Sequence, residues 1–190
     1  MSRRRIVVGI SGASGVILGV RLLELLRELD IETHLVMSRA AMLTIGHELG
    51  RSIESVKALA SVVHPPNDVG ASIASGSFKT EGMIIAPCSM RTLAAIATGV
   101  TDTLLTRAAD VVLKERRRLV LLPRETPLHL GHLRNMVAVT ETGAVVMPPV
   151  PAFYTGTNTL EAVVDQILGR ALDLFGLDCP TVVRWQGGRS

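Results

Sequence analysis

The sequence predicts an α/β protein of one domain, with a three-layer, doubly wound and mostly parallel sheet of the Rossmann-like or flavodoxin-like class. Three observations lead to this prediction. Short β-branched apolar segments alternate with longer segments of helical period. The first strand runs directly into a glycine-rich turn, Gly9–Gly15. The 190 residues suffice for one substantial core and contain no repeat or obvious linker.

The alternation assigns each element in turn. The predicted strands are short and apolar, and they are Ile6–Ile10, Thr33–Met37, Ser61–His64, Gly82–Ala86, Leu119–Leu122 and Ala144–Met147. The predicted helices carry apolar residues at helical spacing, and they are Gly15–Leu29, Arg39–Leu49, Ser89–Thr98, Thr103–Lys114, Leu130–Thr142 and Thr159–Phe175. Ligands of such sheets bind beyond the carboxyl ends of the strands, so we expect the chemistry in the segments that follow strands.

Three connecting segments stand out. Pro65–Asp68 predicts a turn, and Ala71–Phe78, rich in Ser and Gly, predicts a mobile loop. The apolar segment Met147–Tyr154 cannot be helical through its prolines. We expect this arm to pack on a neighbouring subunit, because an exposed apolar segment usually covers another surface.

The composition argues against several classes of function. The net charge of +3 is mild, and an aromatic content of 3% leaves few rings on which nucleic-acid bases could stack. No stretch reaches the roughly 18 apolar residues of a membrane span, and Arg3–Arg5 lead into a strand without a signal-peptide region. Cys88 and Cys179 lack the spacing of a zinc or iron–sulfur site. We expect a reduced, cytoplasmic protein without a metal, and with neither nucleic acid nor membrane as a partner.

The first strand and turn predict an anion-binding loop, because strand, glycine turn and helix aim free backbone N–H groups at one point. Ser14 is expected to be the N-cap of the helix. The spacing differs from the dinucleotide fingerprint and lacks the lysine of a P-loop, and the second strand ends at Ser38 without an acid for a ribose. A mononucleotide such as FMN therefore fits better than NAD. A tight turn with no ligand is the alternative.

A second helix start and several cations follow later strands. Pro87 is expected to stop the fourth strand, and Ser89 to cap the next helix. Two helix starts with at least four cations suggest a site for more than one phosphate, and the candidate side chains are Glu48, Arg107, Lys114, Arg124, Glu125, Tyr154 and Arg170.

Each candidate has a simpler interpretation. Glu48 could be a helix-surface carboxylate, and Arg107 and Lys114 a solvated face, as we expect for Arg116–Arg118. Arg124 and Glu125 could form a surface ion pair, Tyr154 could serve packing alone, and Arg170 could be a charge at a helix end. Cys88 is expected to be a buried filler rather than a nucleophile. His129 and His132 lack a third ligand for a metal.

Eight stretches, in order along nearly the whole chain, carry a resemblance to a known family: GISGASG (Gly9–Gly15), ETHLVMSRAA (Glu32–Ala41), SGSF (Ser75–Phe78), PCSM (Pro87–Met90), LLTRAADVVLKERR (Leu104–Arg117), PRETPLHLGHLRNM (Pro123–Met136), PAFY (Pro151–Tyr154) and RW (Arg184-Trp185). The chain resembles the flavin prenyltransferases of the UbiX type, once described as aromatic-acid decarboxylases. The resemblance implies a dodecamer that attaches a dimethylallyl group from dimethylallyl monophosphate to nitrogen 5 and carbon 6 of reduced FMN without a metal. The prenylated FMN would pass to a UbiD-type decarboxylase, as in ubiquinone biosynthesis.

Carried over position by position, the resemblance implies roles for individual residues. FMN would be bound by Gly12, Ala13, Ser14, Ser38, Ser89, Met90, Arg91, Thr92 and Arg124. The prenyl phosphate would be bound by Arg107, Lys114, Tyr154 and Arg170. The residues expected in catalysis are Ser14, Glu48, Lys114 and Glu125. Lys114, Arg170 and a protonated Glu125 would neutralise the departing phosphate, and Glu48 with Ser14 would relay a proton.

The sequence departs from the family pattern at Leu18, Arg118 and Thr157-Asn158, and Leu18 is expected to alter the pocket wall.

Two other functions are the alternatives. A related flavin-dependent cysteine decarboxylase is expected to have a histidine after the second strand and a PxMNxxMW segment, where this chain has Ser38 and Pro87–Met90. A non-catalytic FMN carrier would not need a second phosphate pocket.

Overall fold

Six parallel strands form one sheet in the order β3-β2-β1-β4-β5-β6. The structure is a computed structural model that describes residues 3–187. The strands are β1 Arg5–Ile10, β2 Glu32–Met37, β3 Val62–His64, β4 Gly82–Cys88, β5 Arg118–Pro123 and β6 Val145–Val146. The predicted fold class is confirmed, and within residues 3–187 the sheet is parallel throughout.

Helices connect the strands and cover both faces of the sheet. They are α1 Ile17–Glu28, α2 Arg39–Leu49, α3 Ile53–Lys57, α4 Met90–Thr98, α5 Leu104–Lys114, α6 Leu130–Glu141 and α7 Leu160–Asp173, with two short 3-10 turns at Ser72–Ala74 and Phe153–Thr155. Every predicted strand and helix is present. The short α3 was not predicted, because it buries a single residue, Val56, and so shows no apolar period.

The strand order reverses between β1 and β4. From β1 the chain proceeds outward to β2 and β3, and it then returns to place β4 on the other side of β1. At such a reversal the connections leave toward opposite faces, and a crevice opens beyond the carboxyl ends of the two strands. The fold therefore places a candidate site after β1 and β4.

Each face of the sheet carries its own apolar core. On one face, α1 and α7 bury residues such as Leu22, Leu26 and Leu168. On the other, α4 and α5 bury Leu93 and Leu104. These three-layer contacts fix the helix ends relative to the strand ends.

Three local expectations are corrected. Pro87 does not stop β4, which continues to Cys88. The segment Ala71–Phe78 is held rather than free, because Ile73 is buried and Arg117 donates hydrogen bonds to two carbonyl groups of the segment. Leu18 is buried in the core under α1 and does not line the cleft described below.

None of the helices in the described part of the chain has the length and apolar character needed to cross a membrane.

Two helical glycines give a matched test of this packing. Gly19 in α1 has no room for a side chain, because a Cβ there would overlap the Ala86 carbonyl oxygen and lie 2.7 Å from the Ile10 side chain. Gly46 in α2 is exposed, with nothing within 4 Å of such a Cβ. We expect Gly19→Ala to lower the free energy of unfolding by about 1–3 kcal/mol and Gly46→Ala to raise it by about 0.5–1 kcal/mol.

Urea unfolding at one fixed protein concentration, followed by circular dichroism, measures both effects. Equal changes in the two variants would contradict the close approach of α1 to β4.

Candidate functional site

A cleft of about 730 Å³ opens at the carboxyl edge of the sheet. Its walls come from the turn after β1, the first turns of α2 and α4, the segment after β3 and the start of α5. The polar residues among its lining are Ser38, Arg39, Asn67, Ser89, Arg91, Thr92, Thr98, Asp102, Thr103 and Thr106. The volume lies within the range of small-molecule and cofactor sites, about 300–1,000 Å³.

Two helix N-termini point into this cleft, and both have serine caps, of which the Ser89 cap was predicted and the Ser38 cap was not. Ser38 Oγ accepts a hydrogen bond from the Ala41 backbone N–H at 3.0 Å, and Ser89 Oγ accepts one from the Thr92 N–H at 3.3 Å. Within residues 3–187, no protein group accepts from the first two N–H groups of α2 or of α4. These four donors, with the positive ends of two helix dipoles, can bind an anion.

The β1–α1 turn is built differently from the prediction. Ser14 is not the N-cap, because the chain continues through Gly15 at φ +94 and α1 begins only at Ile17. The backbone N–H groups of Gly15 and Val16 donate to Glu48 Oε2 at 2.9 Å and 3.2 Å. The donors expected to bind a phosphate at α1 are therefore occupied by a carboxylate of the same chain.

Gly12 has a packing role within the turn. A Cβ at this position would overlap the Ala40 side chain in the first turn of α2. The absence of a side chain therefore brings the turn against α2, where both line the cleft.

Glu48 is held as a carboxylate. Partial burial acts to raise its pKa, but the Ser14 hydroxyl, the N–H groups of Gly15 and Val16 and the charge of Arg124 together outweigh burial and lower the pKa below the ordinary value of a glutamate. Glu48 is exposed on α2, as expected of a helix-surface carboxylate, but its side chain also accepts from the Gly15 and Val16 N–H groups immediately before α1. Glu48 therefore joins the β1–α1 turn to α2.

The end of β5 brings two charged residues to the same edge. The Arg124 backbone N–H donates to the Cys88 carbonyl oxygen at 3.1 Å, so the segment is bonded to the end of β4. Glu125 is exposed, and its Oε1 accepts from the Thr126 N–H at 3.0 Å. Cys88 is fully buried and burial raises the pKa of its thiol to about 12, which agrees with the expectation of a buried filler.

Five of the predicted FMN-binding residues line the cleft together: Gly12, Ser38, Ser89, Arg91 and Thr92. The other four do not line it, and they are Ala13, Ser14, Met90 and Arg124. These four lie in the same turn, at the same helix start or at the end of the neighbouring strand. The FMN-binding roles of all nine residues stay predictions.

The residues predicted to bind the prenyl phosphate are not brought to the cleft. Lys114 ends α5, and that end of the helix lies at the amino edge of the sheet, whereas Thr103 at its start lines the cleft. Eleven helical residues separate the two ends, a distance of about 16 Å. Arg107, on the same helix, pairs with Asp110 at 2.9 Å.

Tyr154 and Arg170 are connected to each other through the C-terminal segment. The Tyr154 ring contacts the Trp185 ring edge-on at 5.5 Å. Arg184 forms two hydrogen bonds with Asp173, and Asp173 also pairs with Arg170. This face lies on α7 and not in the cleft.

The sequence analysis missed part of the cleft wall. Asn67 was interpreted as part of a turn, although it follows β3 and so obeyed the strand-end rule used elsewhere. Asp102, Thr103 and Thr106 lie at the start of α5, whose capping-box geometry joins both threonines. The hydrogen bond from the Leu104 N–H to the Pro66 carbonyl oxygen, at 2.9 Å, closes this wall and has no local sequence signal.

Within residues 3–187, no group of three or more His, Cys, Asp and Glu side chains is placed to hold a metal ion. His129 and His132 stack with ring centroids 3.6 Å apart, and His129 Nδ1 accepts from the Gly131 N–H at the start of α6. His129 therefore caps the start of α6, and His132 stacks against it.

Comparisons with known proteins agree with this architecture. A family model described as Flavoprotein matches residues 1–172. The chain is 58% identical over 184 residues to the flavin prenyltransferase UbiX of Neisseria meningitidis serogroup B, covering 97% of both chains. It is 59% identical over 187 residues to the flavin prenyltransferase UbiX of Escherichia coli K12, covering 97% of this chain and 99% of the relative.

Two solved structures are similar throughout. One is the crystal structure of AnUbiX (PadA1) in complex with FMN and dimethylallyl pyrophosphate, with a TM-score of 0.97, 55% identity and coverage of 99% and 100% of the two chains. The other is a dodecameric FMN-dependent Ubix-like decarboxylase from Escherichia coli O157:H7, with a TM-score of 0.94, 52% identity and coverage of 96% and 100%. Cysteine decarboxylase TvaF, at 16% identity and a TM-score of 0.63, shares the fold alone.

The Glu48 cap should contribute to stability in a pH-dependent manner. We expect Glu48→Ala to lower the free energy of unfolding at pH 7 by about 1 kcal/mol, the usual cost of losing a helix cap. The folded pKa of Glu48 lies below that of the unfolded chain. The ionic part of the cap is therefore complete above the unfolded value, about 4.3, and is lost as the pH falls through the folded value.

Glu48→Gln isolates this ionic part, since it keeps the size of the side chain. Its stability difference from the parent should be constant from pH 7 to 5 and shrink below pH of about 4. Glu141→Gln, at an exposed position near the end of α6, is the control. A difference that stays constant down to pH 3 would show that the carboxylate charge does not cap α1.

Proposed function

The chain belongs to the UbiX-type flavin prenyltransferases, and we propose that it transfers a dimethylallyl group from dimethylallyl monophosphate to nitrogen 5 and carbon 6 of reduced FMN. It is a prenyltransferase by its identity of 54–59% to relatives of that name over nearly the full chain. The observation that carries the substrate assignment is the cleft, in which two capped helix N-termini offer unpaired backbone donors.

FMN fits the cleft by its chemistry. The N–H groups that begin α2 and α4 suit its phosphate, and the Ser38, Ser89 and Thr92 hydroxyls suit its polyol chain. Arg91 and the backbone of Gly12 complete the cleft lining among the residues assigned to FMN. When bound, reduced FMN supplies the nucleophilic nitrogen and the ring carbon that receive the dimethylallyl group.

Glu48 and Glu125 have different environments and therefore different proposed tasks. The lowered pKa of Glu48 keeps it ionised, so it accepts a proton, with the Ser14 hydroxyl as its neighbour in the relay. Glu125 is exposed at the end of β5, next to Arg124. In the protonated form it donates to the departing phosphate, whose charge Lys114 and Arg170 neutralise.

A second copy of the chain completes the site. Within one chain Lys114 lies about 12 Å along α5 from Thr106, the nearest residue of that helix in the cleft wall, farther than a lysine side chain reaches. Arg170 is exposed on α7, and Tyr154 lies in the 3-10 turn Phe153–Thr155 against Trp185, also outside the cleft. The solved dodecameric relative supports assembly into a homo-oligomer, in which α5 or α7 of one subunit faces the cleft of another. The arm Met147–Tyr154, whose Phe153 is 89% exposed, fits a role in packing on that subunit.

The product would serve a UbiD-type decarboxylase in ubiquinone biosynthesis, and the cytoplasm is the proposed compartment.

A non-catalytic FMN carrier is the alternative function. The set of Lys114, Glu125, Tyr154 and Arg170 argues against it, because a passive carrier has no need of a second phosphate pocket.

The transfer can be tested directly. We expect the purified protein, with reduced FMN and dimethylallyl monophosphate, to yield a flavin heavier by one five-carbon unit in mass spectrometry. The reaction should proceed equally in excess EDTA, because the chain's own cations neutralise the phosphate. Parallel reactions with dimethylallyl diphosphate decide the donor. Unchanged FMN with both donors would refute the function.

Subunit sharing can be tested by complementation. Lys114→Ala and Glu125→Gln should each be strongly impaired, since each removes one group from the phosphate's surroundings. We expect mixed oligomers from co-expression to regain activity, because some sites then combine an intact Lys114 from one subunit with an intact Glu125 from another. Prenylated FMN is measured per site, and activity equal to the average of the two parents would show that one chain supplies both groups.

A further inference from the structure

Lys114 is surrounded by a group of residues that the assigned roles do not explain. Its ammonium group pairs with the carboxylate of Glu115, the residue that ends α5. Arg116 follows with a left-handed backbone, φ 57, which turns the chain sharply before β5. Lys114, Glu115 and Arg117 are thereby gathered beside the segment Ser75–Phe78.

Arg117 fixes this segment to the end of α5. Its guanidinium donates to the Phe78 carbonyl oxygen at 2.7 Å and to the Gly76 carbonyl oxygen at 2.6 Å. Its NH2 group also lies 4.0 Å from Glu115 Oε2. The side chain is only 17% exposed, so the expectation that Arg117 belongs to a solvated face is wrong. Two backbone carbonyl groups and a carboxylate therefore hold one guanidinium.

Gly76 provides the space for the ion pair. A Cβ at this position would overlap the Glu115 carboxylate and lie 2.8 Å from Lys114 Nζ. The backbone of Gly76 is not in the left-handed region, so its conformation does not require glycine. Glycine is needed because a side chain would overlap the ion pair. Any larger residue would displace both head groups of the pair.

We propose that Gly76, Glu115 and Arg117 are positioning residues that hold the Lys114 ammonium in the orientation in which it binds the prenyl phosphate. This inference rests on the proposed function. A lysine side chain has a flexible four-carbon stem and three N–H donors. Glu115 takes one donor and restricts the stem, which leaves two donors for the phosphate.

The negative charge of Glu115 allows two roles to be distinguished, orientation of Lys114 and a purely electrostatic effect on the phosphate. The hydrogen bond from Lys114, with the charges of Lys114 and Arg117, lowers the pKa of Glu115, so it remains an anion at neutral pH. An anion beside a phosphate-binding cation weakens the attraction for phosphate. Removing the charge should therefore improve donor binding if Glu115 acts through charge alone, and impair it if Glu115 orients Lys114.

Two variants test this difference in the full oligomeric enzyme, with saturating reduced FMN and varied dimethylallyl monophosphate. For Glu115→Gln we expect the KM for the donor to rise about fivefold, the upper range for one exposed ion pair. For Gly76→Ala, which changes no charge, we expect a rise of the same size. The Kd for FMN should stay at the parent value in both, and Glu115→Asp should restore most of the donor affinity.

Glu54→Gln is the matched control, because it removes the carboxylate partner of Lys57 in an exposed ion pair on α3. It should leave the donor KM unchanged. A donor KM that is unchanged or lower in Glu115→Gln, with the parent enzyme active, would overturn the positioning role alone. A parent enzyme that forms no prenylated FMN would overturn the proposed function and, with it, this inference.

Discussion

The parallel direction of all six strands is the constraint on which the rest of the structure depends. It places every strand's carboxyl end at one edge of the sheet, with the start of the helix that follows, whereas a helix that leads directly into a strand, as α5 leads into β5, ends at the other edge. The same rule that gathers Ser38 and Ser89 around one cleft sends Lys114 to the opposite edge. One chain can therefore build an anion-binding cleft but cannot place its α5 lysine there.

Three helix starts meet near the cleft, yet they are not equivalent. Glu48 occupies the N–H groups that precede α1, so the chain satisfies that terminus itself. The termini of α2 and α4 keep only their serine caps, which leave two donors each. An anion is thus directed toward α2 and α4, whereas the carboxylate near α1 is held in its ionised form because its pKa is lowered. The proposed proton-accepting role of Glu48 depends on this separation from the anion-binding donors.

The features that could be predicted are those that depend on residues close to one another in the sequence. Short apolar segments predicted all six strands, and Ser89 before α4 was predicted as its cap, since a cap depends on residues three positions apart. The failures concern contacts between distant segments. Glu48, 34 positions from Ser14, accepts the hydrogen bonds at the start of α1 in place of the expected Ser14 cap. Arg117 was expected in solvent, but its acceptors lie about 40 positions earlier in the chain. No spacing rule could reveal either contact. Asn67 could have been found, because it follows a strand.

The separation of the two sets of residues has a consequence for the order of binding. The lining of the cleft lies within a single chain, so under the proposed function we expect each subunit to bind reduced FMN on its own. The cations proposed for the donor lie on α5 and α7, outside that lining, and would become part of a site only where another copy faces it. Assembly would then control donor binding without changing the FMN contacts. A subunit outside the oligomer would hold the flavin but lack the charges that stabilise a departing phosphate, and so it could not cleave the donor in the absence of a complete site.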